Sequence, residues 1–218
     1  MDWKRILKGS PQTPRGLRLT PELEAQIRRS FDESSHDEEH FPSTIDPRIY
    51  HVQLLLEHLG DLNGRRALDV GCGKGRFARI FQERYPAAEI WGLDISEEML
   101  RHVPAGIHTR AGSMTSLPFE DGWFDAAYAT ESLEHAVEID VAVGEICRVI
   151  KPGGRIAIID KNVEHFGKLK TPEWERWFGR KELERLLGRS CREVRSQFIS
   201  YWEDVEPDGM FIAWLAVK

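Results

Sequence analysis

Three glycines at alternate positions, Gly71, Gly73 and Gly75, follow closely on an acid, Asp69. A short apolar run, Ala67 to Val70, precedes them. An amphipathic run from Arg76 to Tyr85 follows and puts Phe77, Ile80 and Phe81 on one helical face. Strand, glycine turn and helix open a nucleotide-binding α/β unit. Glycine permits the tight turn and a close ligand approach to the backbone. The helix N-terminus behind it offers free N–H groups and partial positive charge. Two relatives of this pattern fail. A phosphate loop needs Ser or Thr after Lys74, where Gly75 stands, and G-x-G-x-x-G needs glycine where Arg76 stands. A second acid, Asp94, ends the run Glu89–Asp94, where a carboxylate can accept two hydrogen bonds from ribose hydroxyls. His135, in Ser132-Leu133-Glu134-His135, has the chemistry of a general base. The other reading is that Glu134 and His135 cap and pack the next helix.

The string D-x-G-x-G-x-G, carried by Asp69, Gly71, Gly73 and Gly75, resembles the first motif of class I S-adenosylmethionine (SAM)-dependent methyltransferases. Leu117–Asp125 (L-P-F-E-D-G-W-F-D), S-L-E-H and the turn Ile150–Gly154 (I-K-P-G-G) resemble the small-molecule subgroup that includes quinone methyltransferases. The resemblance implies an α/β fold, a Rossmann-like doubly wound seven-stranded sheet with its last strand antiparallel and an N-terminal helical cap. It implies SAM as cofactor, its demethylated form as product, and a small-molecule acceptor. Implied cofactor contacts are Asp69, Gly71, Cys72, Gly73 and Gly75 on the first turn. Asp94 and Ile95 follow the second strand, Ser113 and Met114 the third, and Thr130 the fourth. An anion at Asp69 suits the ammonium and sulfonium charges of SAM. Many members carry an acid for the adenine amino group where Ser113 stands. The Ser113 oxygen, the Met114 N–H or Met114 packing on the ring are the options left. The resemblance also makes Arg48, Tyr50 and His51 candidate lid residues. Tyr50, His51 and His165, with residues around 161–178, are expected to shape the acceptor pocket, with ordinary packing as the alternative. The run that marks amino-methylating nucleic-acid enzymes is absent, as is the nucleophilic cysteine of cytosine enzymes. Two further functions stay open, RNA or protein methylation and non-catalytic SAM binding, as does transfer to O, N or C.

These residues need elements to hold them. The pattern predicts helices from Pro21 to about Phe31, Arg48–Leu59, Arg76–Tyr85, Ser96–Val103, Glu138–Ile150 and Arg180–Leu187. It also predicts one from Thr171-Pro172-Glu173 carrying Trp174, Trp177 and Phe178, with the tryptophans read as core. Strands are expected at Ala67–Val70, Glu89–Asp94, Gly106–Ala111, Ala126–Ala129, Arg155–Ile159, Glu193–Trp202 and Met210–Val217, with a tight turn at Lys151–Gly154. Residues 1–20 read as an irregular arm. Residues 1–59 read as arm and helical lid, and 60–218 as the binding core.

The 218 residues carry a formal net charge of -6, against global attraction to nucleic acid or anionic membrane. The basic set Arg101, His102, His108, Arg110 and Lys161–Lys170 leaves a local patch open. Three cysteines without a C-x-x-C pair read as reduced thiols in a cytoplasmic protein, monomer or homodimer. No membrane span or signal peptide is expected. His36 and His40, among acids, read as part of a solvated linker; no metal site is expected.

Overall fold

The computed structural model describes residues 16–218. Helix α1 (Pro21–Ser34) starts where Thr20 accepts the Leu23 N–H, and it runs one turn longer than predicted. Helix α2 is Tyr50–Leu59. The central alternation is then β1 (Arg66–Val70), α3 (Arg76–Arg84), β2 (Glu89–Asp94), α4 (Glu97–Leu100), β3 (His108–Ala111), β4 (Phe124–Thr130), α5 (Ile139–Val149) and β5 (Ile150–Lys161). The chain closes with α6 (Arg180–Leu187), β6 (Glu193–Ile199) and β7 (Phe211–Val217). Helix α4 is shorter than expected, since Pro104 follows closely and cannot continue a helix. The expected arm falls mostly on residues 1–15, outside the described residues.

The strands form one sheet in the order β3-β2-β1-β4-β5-β7-β6. All neighbours are parallel except β7, which is antiparallel to both β5 and β6. Alternate residues of each strand serve opposite faces. Leu68, Val70, Ile156, Ile158 and Trp214 join α5 and α6 in one core. Ala67, Ala157, Ile159 and Leu215 join α2 and α3 in the other. Burial on both faces explains why β1, β4 and β7 are almost continuously apolar.

Two predicted elements take another form. The Lys151–Gly154 turn lies inside β5 as a wide bulge, because Phe124 pairs with Ile150 while Ala126 pairs with Arg155. Asp125 anchors it, accepting from Lys151 Nζ at 2.7 Å and from the Arg66 N–H at 2.9 Å. A Cβ on Gly154 would lie 2.8 Å from the Asp125 carbonyl, so the bulge closes only with glycine there. The helix expected from Thr171 does not form. Its backbone donors are used elsewhere: Arg176 N–H bonds the Glu134 carbonyl at 2.8 Å, and Asn162 pairs with Phe178 as an isolated bridge. The Trp177 indole donates to Glu175 at 2.6 Å, a contact that holds this segment as a loop.

Candidate active site

The order of strands reverses between β1 and β4, and a cavity of about 610 Å³ opens at their C-terminal ends. Doubly wound sheets bind ligands at this switch point. The loop after β1 supplies its floor. Gly71, Gly73 and Gly75 all have positive φ, which a side chain would strain. A Cβ on Gly71 would lie 2.5 Å from Ser132 Cβ, so this glycine serves packing of the loop against the β4 end. A Cβ on Gly73 would meet nothing within 4 Å and would project into open space. Gly75 is the N-cap of α3 and packs under Val103, away from the cavity.

Two acids face this floor. Asp94 accepts the Gly73 N–H at 2.8 Å on Oδ2 and the Ser96 N–H at 2.9 Å on Oδ1. It thus ties the glycine loop to the β2 end and keeps lone pairs for a ligand. Asp69 keeps Oδ2 without a hydrogen-bond partner among the described residues. Burial, reinforced by the charge of Asp94, pushes the Asp69 carboxyl up to about 8, and burial likewise raises Asp94. Desolvation favours the protonated form of these two acids, and a cation bound beside them would restore their charge. Cys72, Ile95, Ser113, Met114 and Thr130 line the same space. Cys72 is buried and burial raises its thiol, which keeps it unreactive. Ser113 bonds Thr115 at 2.8 Å, so its hydroxyl is already engaged.

The opposite wall is built from segments far apart in sequence. The loop after β4 carries Glu131 and Val137 at φ 51° and 61°, a strained left-handed geometry for non-glycine residues. Between them, the short 3-10 turn Leu133–His135 aims Glu134 and His135 at the cavity. Lys161, at the end of β5, ion-pairs with Glu134 and lies 3.8 Å from Glu175. Burial and the charge of Asp160 raise the Glu134 carboxyl, and burial raises Glu175. Burial lowers the Lys161 ammonium, but Glu134 and Asp160 outweigh it and the net shift is upward. His135 is pushed down to about 3, by burial and then by Lys161, so it is neutral at ordinary pH. Its ring packs edge-on against Phe31 with centroids 5.0 Å apart. Glu134, His135 and Glu175 bring ligand atoms within 4.8 Å of one another, a spacing open to a divalent ion; here the Lys161 ammonium serves as their cation.

The roof comes from α1 and the turns after it, through Ile27, Phe31, His40, Phe41 and Pro42, with Trp174 and Pro172 closing the side. Lys74 of the glycine loop, buried to 1%, bonds Glu38 at 2.6 Å and fastens that roof to the floor. Arg76, at the start of α3, bonds Glu131 of the loop after β4 at 3.2 Å and ties floor to wall. His40 therefore borders the cavity, paired with Asp37, while His36 packs edge-on against His102.

Three expected acceptor residues lie elsewhere. Helix α2 packs against the sheet, so His51 is fully buried between Tyr201 and Phe211 and burial lowers it to about 4. Tyr50 lines a separate surface hollow and accepts from Gln197. His165 sits beside Lys168 and Gly209. The stretch around residues 161–178, expected to shape an acceptor pocket, brings Lys161, Pro172, Trp174 and Glu175 to the cavity wall; sequence reading did not single out Lys74 or Phe31. The one available signal was charge inside apolar surroundings at the strand ends.

A doubly wound sheet with a glycine turn and strand-end acids at its switch point defines a nucleotide-type cofactor fold. Residues 68–158 match the family described as "Methyltransferase domain". The chain is 33% identical over 135 residues to a fatty-acid O-methyltransferase of Mycolicibacterium smegmatis, covering 60% of this chain and 48% of that one. It is 29% identical over 153 residues to the demethylmenaquinone methyltransferase of Lactococcus lactis, covering 65% and 61%. The chain thus spans about half the length of such curated relatives. A methyltransferase structure from Thermotoga maritima, described as a possible histamine N-methyltransferase, superposes with TM-score 0.67 at 21% identity, covering 87% of this chain and 99% of that one.

Proposed function

We propose that this chain binds SAM over the glycine loop and transfers its methyl group to a small, largely apolar acceptor. The observation that carries this is the open space over Gly73 beside two desolvated acids at the sheet's switch point. The Asp69 carboxylate would hold the ammonium of the methionyl end, and the Asp94 carboxylate the ribose hydroxyls. Cys72, Ile95, Met114 and Thr130 would flank the cofactor, with Ser113 presenting an oxygen near the adenine end. Gly71 and Gly75 shape the loop. Bound there, SAM supplies an electrophilic methyl group. The protein then has to align the acceptor and exclude water. The roof from α1, latched by Lys74 and Glu38, does the excluding. Phe31, Phe41, Leu169, Pro172 and Trp174 give the acceptor an apolar surface. A fatty-acid and a quinone enzyme among the relatives agree with an acceptor of that character. His135 stays in the acceptor wall as a neutral imidazole. Its lowered pKa makes it a poor holder of a proton and favours a positioning role, by packing on Phe31. Tyr50, His51 and His165 take no part in this reading.

Among the described residues no helix is long and apolar enough to cross a membrane. All three cysteines are free and buried, in keeping with the cytoplasmic setting we propose.

Calorimetric titration with SAM tests the reading. Wild-type chain binds it, and Asp94→Ala, which also frees the Gly73 N–H, weakens binding at least about tenfold, near 1.4 kcal/mol. No heat of binding in the folded wild type rejects it. Binding with no turnover on any acceptor class moves the chain to the SAM-binding regulators.

A further inference from the structure

The acceptor end of the cavity has an unusual charge balance. Glu134, Asp160 and Glu175 bring three carboxyls to one ammonium, that of Lys161. Glu134 is 1% exposed and Glu175 4%, so water screens neither well. Glu134, which lines the cavity, bonds Lys161 through Oε1, while Oε2 meets no donor among the described residues and has the Asp160 carboxyl as its neighbour. A buried carboxylate oxygen without a donor costs free energy that a ligand donor would relieve. The Trp174 indole N–H, in the same wall, has no acceptor either.

We infer that this end of the cavity selects an acceptor whose head donates a proton, a hydroxyl or an amine, and turns away carboxylates. The inference rests on the proposed function for the identity of the reaction, but the selectivity belongs to the wall itself. A hydroxyl gives its hydrogen to Glu134 Oε2 and keeps lone pairs for the Trp174 N–H, satisfying both orphans. A protonated amine satisfies Glu134 and lowers the net negative charge. A carboxylate has no hydrogen to give. It would add an anion to a wall whose three carboxyls share the buried Lys161 ammonium, while Lys170, which lines the same cavity, is exposed, and like charges juxtaposed in a desolvated site repel. A fatty acid presents that head, so this wall departs from what the name of the Mycolicibacterium relative implies for its acceptor. The apolar roof of Phe31, Phe41 and Pro42 takes the rest of the molecule in either case.

Three probes that share one chain test this: 1-octanol, octylamine and octanoate, titrated into the full chain at constant pH with demethylated SAM present. Octanol or octylamine binds at least about tenfold tighter than octanoate, a difference near 1.4 kcal/mol. The order of the first two assigns hydroxyl or amine. In Glu134→Gln/Glu175→Gln the gap narrows to within about threefold, below 1 kcal/mol, because the amides remove both charges and add donors. Should the double variant fail to fold, Glu175→Gln alone, which keeps the Lys161–Glu134 pair, narrows the gap in part, and an unchanged gap there overturns the inference. Octanoate binding as tightly as the alcohol and the amine overturns the inference. So does a gap that survives the substitutions, or a cavity that takes none of the three. A separate SAM titration is scored alone. Its failure removes the cofactor, while the head-group order is still read on the free cavity.

Discussion

The floor of the cavity is made of strand ends and one continuous loop; its far wall is made of side chains from four separated segments. Asp69, Gly71, Gly73 and Asp94 lie within 26 residues of one another and are held by parallel β1–β2 pairing. Glu134, Lys161, Glu175 and Phe31 are brought together only by the β4–β5 register, the bulge at Lys151–Gly154 and the packing of α1. The floor takes its chemistry from backbone: positive-φ glycines, N–H groups and the strand ends. The wall takes it from charges that neutralise one another. A backbone site tolerates drift of its surroundings, whereas a wall of paired side chains changes its ligand with one substitution. That difference explains how one fold keeps a cofactor while varying the acceptor.

Breaking the wall has the largest effect. Lys161→Met leaves Glu134, Asp160 and Glu175 without their cation in a desolvated place, so the folded state loses about 3–5 kcal/mol in urea unfolding. Retention of full stability shows that the carboxyls are protonated and the pair is not needed. On the floor, Asp69→Asn is expected to weaken SAM binding by about ten- to a hundredfold, 1.4–2.8 kcal/mol.

The pH responses of the two regions have opposite signs. The Asp69 carboxyl sits near 8 when folded, well above its ordinary value. Between the two values the folded chain holds the extra proton, so Asp69 lowers stability as pH rises towards 8. A cationic ligand needs the carboxylate, so SAM affinity rises from pH 6 to 8.5 with proton release, measured by calorimetry in buffers of different ionisation enthalpy. Both trends vanish in Asp69→Asn. His135, at about 3 when folded, works the other way. Below about pH 6.5 the unfolded chain protonates first, so stability falls with acid, and His135→Gln flattens the melting temperature there. The smallest effect is expected at His165, outside both regions. His165→Ala leaves SAM affinity and acceptor selectivity unchanged within error. A loss of either brings this loop into the site.

The floor was legible because local pattern writes it. An apolar run, alternate glycines and an amphipathic helix fix where Gly71 to Gly75 must lie, and the Glu89–Asp94 run ends on its acid for the same reason. Helix α6 and β2 match their predicted bounds. The wall was legible only as a stretch, residues around 161–178, and not as the contacts that form it. Thr171-Pro172-Glu173 has the local marks of a helix start, yet the Arg176 N–H bonds the Glu134 carbonyl and Trp177 bonds Glu175, so the segment stays a loop and presents Trp174 to the cavity. Helix α2 is amphipathic, as a lid would be, but its apolar face meets Ile159 and Leu215. That packing takes His51 out of reach of the cavity and leaves the roof to α1.

The sequence by itself determined the sheet, its switch point and the cofactor floor, because periodicity and glycine placement act over a few residues. Tertiary structure alone decided which charges meet at the other wall. The neutralisation of Glu134 by Lys161, the lowered pKa of His135 and the latch between Lys74 and Glu38 depend on distances between residues far apart in the chain, and on burial that removes the water between them.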